Sequence, residues 1–149
     1  MFIEPATITD LPAILELQKL AYQSEAKLLN NFNIPPLTQT LTDIEKEFKQ
    51  GIILKATDTH HQIIGSVRGY TDDNTLYIGK LIVRPNQQNQ GLGTLLLMTI
   101  EKYYPQLRYE LFTSTKSEKN LALYVKNGYK EFKREKIKDN LEFVFLEKQ

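Results

Sequence analysis

The sequence predicts a mixed α/β domain built on a central, mostly antiparallel sheet of about seven strands with helices on both faces. Three observations carry that expectation. A run with helical apolar spacing, Leu11 to Leu20, follows directly on a short β-type segment. Three β-type runs then succeed one another between Ile52 and Val83, parted only by polar turns. After Arg84-Pro85 the pattern becomes helix, strand, helix and two strands.

Taken in order, Phe2 to Ile8 reads as a short strand. Thr9 or Asp10 can cap the helix that follows, whose apolar positions Leu11, Ile14, Leu15, Leu17 and Leu20 share one face and whose first turn accommodates Pro12. Gln23 to Gln39, with Asn30, Asn31, Asn33, Pro35 and Pro36, interrupts the period and reads as an irregular or partly helical loop. Long loops of this kind often border sites. Thr42, with Glu45 after it, has the spacing of a capping box, and Ile44 and Phe48 give the next helix an apolar face that Gly51 ends. Ile52 to Thr57, Gln62 to Tyr70 and Thr75 to Val83 then form an expected antiparallel meander, broken at Asp58-Thr59-His60-His61 and Asp72-Asp73-Asn74. Gly91 to Tyr104 returns to helical period through Leu92, Leu95, Leu96, Ile100 and Tyr103, and Pro105 closes it. A strand at Arg108 to Thr113, a helix at Glu118 to Asn127 ended by Gly128, and strands Tyr129 to Lys138 and Leu141 to Glu147 complete the chain.

Bulk composition narrows the function. At 149 residues, 41% hydrophobic and 10% aromatic, the chain has the apolar content of one compact domain, residues 1–149, with a core. Its 19 basic and 18 acidic side chains nearly cancel, so no global field favours nucleic acid or an anionic membrane. The absence of cysteine excludes disulfides, a thiolate nucleophile and zinc held by cysteines. No apolar run approaches the ~20 residues that span a bilayer, and the start of the chain lacks a basic segment followed by a hydrophobic one. A cytoplasmic location is expected.

The most informative stretch is Leu81-Ile82-Val83-Arg84-Pro85-Asn86-Gln87-Gln88-Asn89-Gln90-Gly91-Leu92-Gly93-Thr94, in which a hydrophobic strand runs through a polar loop into a helix. Gly91 and Gly93 let the backbone approach a ligand, and the unpaired N–H groups and positive dipole end of the helix suit a phosphate or pyrophosphate. A Walker loop is excluded, because Thr94 follows Gly93 with no lysine between them. A dinucleotide fingerprint fails as well, with two glycines only and antiparallel strands before them.

The run Gln88-Asn89-Gln90-Gly91-Leu92-Gly93 resembles the coenzyme A signature Gln/Arg-x-x-Gly-x-Gly/Ala of the GNAT N-acetyltransferase superfamily. Downstream, Asn120-Leu121-Ala122-Leu123-Tyr124-Val125-Lys126-Asn127-Gly128-Tyr129 is similar to that family's second signature, a helix carrying an Asn and then a Tyr and ending in a Gly-aromatic pair. The resemblance implies an acyl-CoA N-acyltransferase fold with a splayed sheet, acetyl-CoA as cosubstrate and no metal. It also implies that backbone N–H groups of Gln88, Asn89, Gln90, Gly91, Leu92, Gly93 and Thr94 hold the pyrophosphate. The edge of Leu81, Ile82 and Val83 would pair with the pantetheine amides, as a peptide adds to a sheet.

On the same resemblance, Tyr124 gives a proton to the departing thiolate, for which a phenol of ordinary pKa near 10 is adequate. Asn120, one turn earlier, either hydrogen-bonds the pantetheine arm or serves the helix start. The amine needs a base within direct or one-water reach. Glu25 is the candidate by position, Tyr22 and Tyr77 are candidate substrate contacts, and ordered water is the alternative. His60 and His61 lie in a hairpin turn without further ligands for a metal. Lys130, Lys133, Arg134, Lys136 and Lys138 alternate with acidic residues as one solvated strand face.

The expected reaction is direct transfer of acetyl from acetyl-CoA to a primary amine of a small molecule or peptide, without a covalent enzyme intermediate. The rival from another class is a non-catalytic acyl-CoA-binding sensor or interaction module, favoured if the acceptor slot is blocked. A weaker rival, a nucleotide-binding protein, predicts binding of ATP and not of coenzyme A. No nucleic acid or membrane partner is expected, and dimers are frequent among the proteins this chain resembles, so a homodimer stays open.

Overall fold

The computed structural model describes residues 1–149. In chain order the elements are β1 (Phe2–Pro5), α1 (Leu11–Ala21), α2 (Gln23–Leu29), α3 (Pro35–Thr38), α4 (Leu41–Gln50), β2 (Ile52–Thr57), β3 (Ile63–Asp72) and β4 (Thr75–Val83). They continue as α5 (Leu92–Tyr103), β5 (Arg108–Ser114), α6 (Glu118–Lys126), β6 (Lys130–Lys138) and β7 (Leu141–Lys148). The strands form one 7-stranded sheet in the order β1-β2-β3-β4-β5-β7-β6. Every pairing is antiparallel except β4 with β5, which is parallel.

Strand alternation gives the sheet two apolar faces, each met by its own helices. On one face Leu76, Ile78, Tyr109, Leu111, Val144 and Leu146 pack with Leu92, Leu96, Leu97 and Ile100 of α5 and Tyr124 of α6. On the other, Ile53, Ile63 and Ile82 pack with Leu11, Ile14 and Leu17 of α1 and Ile44 of α4. The helical period of Leu11 to Leu20 and of Gly91 to Tyr104 thus encodes opposite layers of one molecule.

Three local expectations change. The segment 23–39 is more ordered than its asparagines and prolines suggest: α2 continues almost directly from α1, and Asn30 ends it in the left-handed conformation at φ 50°. Pro35 and Pro36 then open α3, where a missing N–H costs nothing. The capping box of α4 is Thr40 with Asp43, two residues before the Thr42–Glu45 spacing: Asp43 N donates to Thr40 Oγ1 at 3.2 Å and Thr40 N to Asp43 Oδ2 at 2.9 Å. At the first helix the strand stops at Pro5, and Asp10 accepts from Thr7 N at 2.8 Å to cap a short 3-10 turn leading into α1. The basic run fills an edge strand: every residue of β6 is exposed, so both of its faces are solvated, and its charges deter edge-to-edge pairing.

Two irregularities in β4 shape the centre of the sheet. β4 pairs with β5 only through Thr75, Leu76 and Tyr77 against Arg108, Tyr109 and Glu110, so from Ile78 onward the two strands diverge. Opposite β3, Ser66 pairs with Ile82 while Arg68 pairs with Gly79, which leaves one extra residue in β4. Lys80, at φ 50°, is where that bulge turns. Its effect on facing is direct: Ile78, Leu81 and Val83 all pack against the α5 side, and Ile82 against the α1 side.

Candidate active site

The divergence of β4 from β5 leaves the strand edge of Leu81, Ile82 and Val83 unpaired on that side. Beyond it, Pro85 to Gln87 make one 3-10 turn and the chain enters α5 through Gly91 at φ 82°. Asn89 is also left-handed, at φ 64°. The first α5 amide with a partner in the chain is Leu95 N, which donates to Gly91 O at 3.1 Å. Gln88 through Thr94 therefore present a row of free N–H groups at a helix N-terminus.

Side chains frame this row. Gln88 donates from Nε2 to Val83 O at 3.3 Å and accepts from Lys119 Nζ at 3.0 Å. Lys119 stands on α6 and brings a cation to the loop, a contribution visible in the sequence only once α6 is known to lie beside α5. A Cβ on Gly93 would touch Leu123 Cδ2 at 3.4 Å, so the small residue sets how closely the two helices approach. Asn120 donates to Thr113 Oγ1 at 3.4 Å, tying α6 to β5.

Tyr124, Tyr22 and Glu25, distant in sequence, lie within mutual electrostatic reach. Tyr124 is 7% exposed and packs against Tyr129 with ring centroids 6.1 Å apart. The other buried tyrosines of this core are satisfied: Tyr109 donates to Tyr104 O at 2.8 Å and Tyr129 to Glu101 Oε2 at 2.8 Å. The Tyr124 hydroxyl has no such partner in the chain. Burial, reinforced by the charges of Tyr22 and Glu25, pushes its pKa well above the ordinary tyrosine value, which corrects the expectation of a phenol near 10. The group stays protonated at any physiological pH.

Burial also pushes the Tyr22 phenol up to about 12, with Glu25 adding to the rise and Arg68 opposing it. The Glu25 carboxyl is raised by burial, and the nearby Ser117 hydroxyl acts against that rise. Ser117 is the buried residue preceding α6, so the start of that helix faces the carboxylate that α2 carries.

A cavity of about 510 Å³ opens between β3, β4 and β5. Tyr77 lines it and stacks on Tyr70 at 5.2 Å, while Phe112 and Phe145, 5.4 Å apart, form the opposite wall. Arg68 and Lys80 line it as well. Arg68 is buried at 4% exposure; it donates to Glu47 Oε2 at 2.8 Å and to Gln18 Oε1, and Gln18 donates to Gln39 Oε1 at 2.7 Å. This network leaves no mark in the sequence, because its members sit on α1, the connection before α4, α4 and β3 and carry no spacing signal. Burial holds Lys80 below the ordinary lysine range, with Glu47 opposing the shift. His60 and His61 lie in the exposed β2–β3 turn, and no group of three or more His, Asp or Glu side chains is arranged to hold a metal ion. No helix is long and apolar enough to cross a membrane.

An open seven-stranded sheet split beside a row of free amides defines a site of the acyl-CoA transferase class. Residues 11–129 match the Acetyltransferase (GNAT) family, and the chain belongs to that family of N-acetyltransferases. No curated protein matches the chain by sequence. Among solved structures, it superposes on the ribosomal-protein-S18-alanine N-acetyltransferase of Escherichia coli with a TM-score of 0.81 at 15% identity, over 99% of this chain and 92% of that one. The PaiA N-acetyltransferase of Thermoplasma acidophilum, solved in complex with coenzyme A, gives 0.79 at 18% identity over 100% and 99% of the two chains. A phosphinothricin acetyltransferase of Sinorhizobium meliloti, in complex with AcCoA, gives 0.78 at 16% identity over 99% and 86%. At these identities the likeness is one of fold.

Proposed function

We propose that the chain transfers the acetyl group of acetyl-CoA directly to a primary amine. The observation that carries this reading is the row of unpartnered amides from Gln88 to Thr94, set beside the unpaired edge of β4. Free amides at a helix N-terminus suit the pyrophosphate, Lys119 adds a cation to it, and the edge of Leu81 to Val83 receives the pantetheine arm. Asn120 acts in this reading by fixing α6 against β5 beside that arm. The thioester then reaches the bulge at Lys80, between Tyr124 and the cavity.

In the transfer itself the amine nitrogen attacks the acetyl carbonyl carbon, the C–N bond forms and the C–S bond breaks. Glu25, raised by burial, takes the proton that the amine loses, directly or through a water. Tyr124 donates its proton to the departing sulfur as the C–S bond lengthens. Burial disfavours the phenolate this leaves, so Tyr124 regains a proton from Glu25, directly or through water, as coenzyme A departs, which returns both groups to their starting states. Tyr22 lies within electrostatic reach of both, and Tyr77 contacts the acceptor. The acceptor slot is open, which favours catalysis over a sensor role.

Titration calorimetry with acetyl-CoA, and separately with ATP, tests the cofactor. Acetyl-CoA alone is expected to bind, and failure to bind it would refute the transferase reading. With acetyl-CoA bound, a thiol reagent then measures release of coenzyme A during turnover with amines, free of background because the chain has no cysteine.

A further inference from the structure

The cavity between β3, β4 and β5 contains more chemistry than recognition of an amine requires. Of its charged groups, Arg68 is paired with Glu47 at 2.8 Å, and Glu110 is paired with Arg108 at 2.8 Å. Lys80 has no carboxylate within ion-pair distance in the chain. It is held there by the bulge, at φ 50°, and is half-buried. Arg68 adds a second unmet requirement: its Nε is buried and finds no acceptor. Lys80 thus lines this volume with its donors unpaired, while Arg68, its Nε closed off and its other nitrogens engaged, adds positive charge beside it, an arrangement that favours an anion in the cavity.

We infer that the amine acceptor is a free amino acid, its carboxylate held by Lys80 in the positive field of Arg68 and its apolar or aromatic side chain held between the Tyr70–Tyr77 pair and Phe112 with Phe145. This rests on the acetyl-transfer reading and names its substrate. A volume of about 510 Å³ fits one small molecule rather than a folded protein surface. A polyamine is disfavoured because its additional charges would meet Lys80 and Arg68, while the two carboxylates of the lining, Glu47 and Glu110, are already paired with arginines. A carboxylate adjacent to the amine also places the nucleophile at the bulge, next to the thioester, when Lys80 binds it. The lowered pKa of Lys80 agrees with a cation waiting for a counter-ion, since an anion beside it would reverse the effect of burial.

The test compares pairs that differ only in the carboxylate: phenylalanine against phenethylamine and tyrosine against tyramine, with phenylalanyl-alanine amide as a peptide acceptor. Coenzyme A release gives kcat/KM for each. The amino acids are expected to exceed their decarboxylated partners by roughly tenfold or more, since a site built for a polar group rejects the analogue lacking it. Lys80→Met is expected to collapse that ratio through KM, and Lys80→Arg to restore most of it. Equal or better use of the amines, a preference for the peptide, no turnover of any of the panel by protein that binds acetyl-CoA, or an unchanged ratio in Lys80→Met would overturn the inference. Failure of acetyl-CoA itself to bind is a different result and removes the transferase reading beneath it.

Discussion

Arg68 of β3 donates to Glu47 of α4 at 2.8 Å across the wall of the cavity between β3, β4 and β5. The pair joins the central sheet to the helix layer on the side away from α5, and Gln18 and Gln39 close the network around the same guanidinium. Arg68 is nearly inaccessible, while the Glu47 side chain is 37% exposed. The two partners therefore carry unequal desolvation, and removing one is not equivalent to removing the other.

Glu47→Ala leaves a buried guanidinium without its counter-ion and is expected to cost about 2–4 kcal/mol in urea unfolding, toward the lower end because Glu47 is partly solvated. Arg68→Met combined with Glu47→Leu, which removes both charges, is expected to recover most of that loss. A double variant as unstable as Glu47→Ala would show that packing and not charge burial sets the effect.

Gly91 is required by backbone conformation and not by space. A Cβ there meets nothing within 4 Å, yet its φ of 82° is one that an L side chain adopts at a cost. Gly91→Ala is expected to destabilise by about 1–2 kcal/mol and to weaken acetyl-CoA binding as the loop relaxes. Gly93→Ala, whose Cβ makes only an ordinary contact with Leu123, is expected to be milder, and Gly93→Leu to push α6 away. Calorimetric affinities for the three variants check that order.

The order of strands and helices was legible because each carries a periodic apolar pattern, and the amide loop was legible because Gly91 and Gly93 punctuate it. Tyr22, Glu25 and Tyr124 were reached as separate candidates, and folding brings them together. What stayed hidden has a common physical character. Arg68, Glu47, Gln18, Lys80 and Lys119 act through contacts between elements far apart in sequence, which no local spacing records. The bulge at Lys80 is a register property of two strands, and the ordering of α2 and α3 comes from tertiary packing that overrides the local signals of Asn30, Pro35 and Pro36.

Lys119 is a long exposed cation whose one contact is Gln88 at 3.0 Å. Lys119→Ala is expected to leave folding unaffected and to weaken acetyl-CoA several-fold at low salt. The difference is expected to shrink as ionic strength rises, since exposed charge pairs are screened. Calorimetry at two salt concentrations reads it, and a salt-independent loss would place Lys119 outside the pyrophosphate site.

Tyr124→Phe removes a hydroxyl that no chain atom engages and keeps the ring in contact with Tyr129. Stability and acetyl-CoA affinity are expected to change little, while kcat falls about 100-fold as proton donation to sulfur is lost. The loss is expected to be smallest with acyl donors whose leaving thiol is more acidic. A uniform loss across donors would assign the hydroxyl to positioning.

Glu25 gives a prediction whose sign follows from burial. Its pKa is raised by burial in the folded protein above the ordinary carboxylate value of the unfolded chain. The neutral carboxyl is the form the fold favours. Its contribution to stability is therefore complete below the unfolded pKa and is lost as pH rises through the folded one. Glu25→Gln, which cannot ionise, is expected to match the parent near pH 4 and to be the more stable protein near pH 7. The facing groups, Tyr22, Ser117 and Tyr124, do not titrate in that interval, so the difference belongs to Glu25. Activity is expected to move the other way. The acidic limb of kcat/KM in the parent lies above the ordinary carboxylate range, and Glu25→Gln loses both the limb and most of the rate at neutral pH. Thermal unfolding and pH-rate profiles on the same two proteins check both halves. A stabilised variant that keeps the parent's acidic limb would leave Glu25 as a buried carboxyl and give the base to solvent.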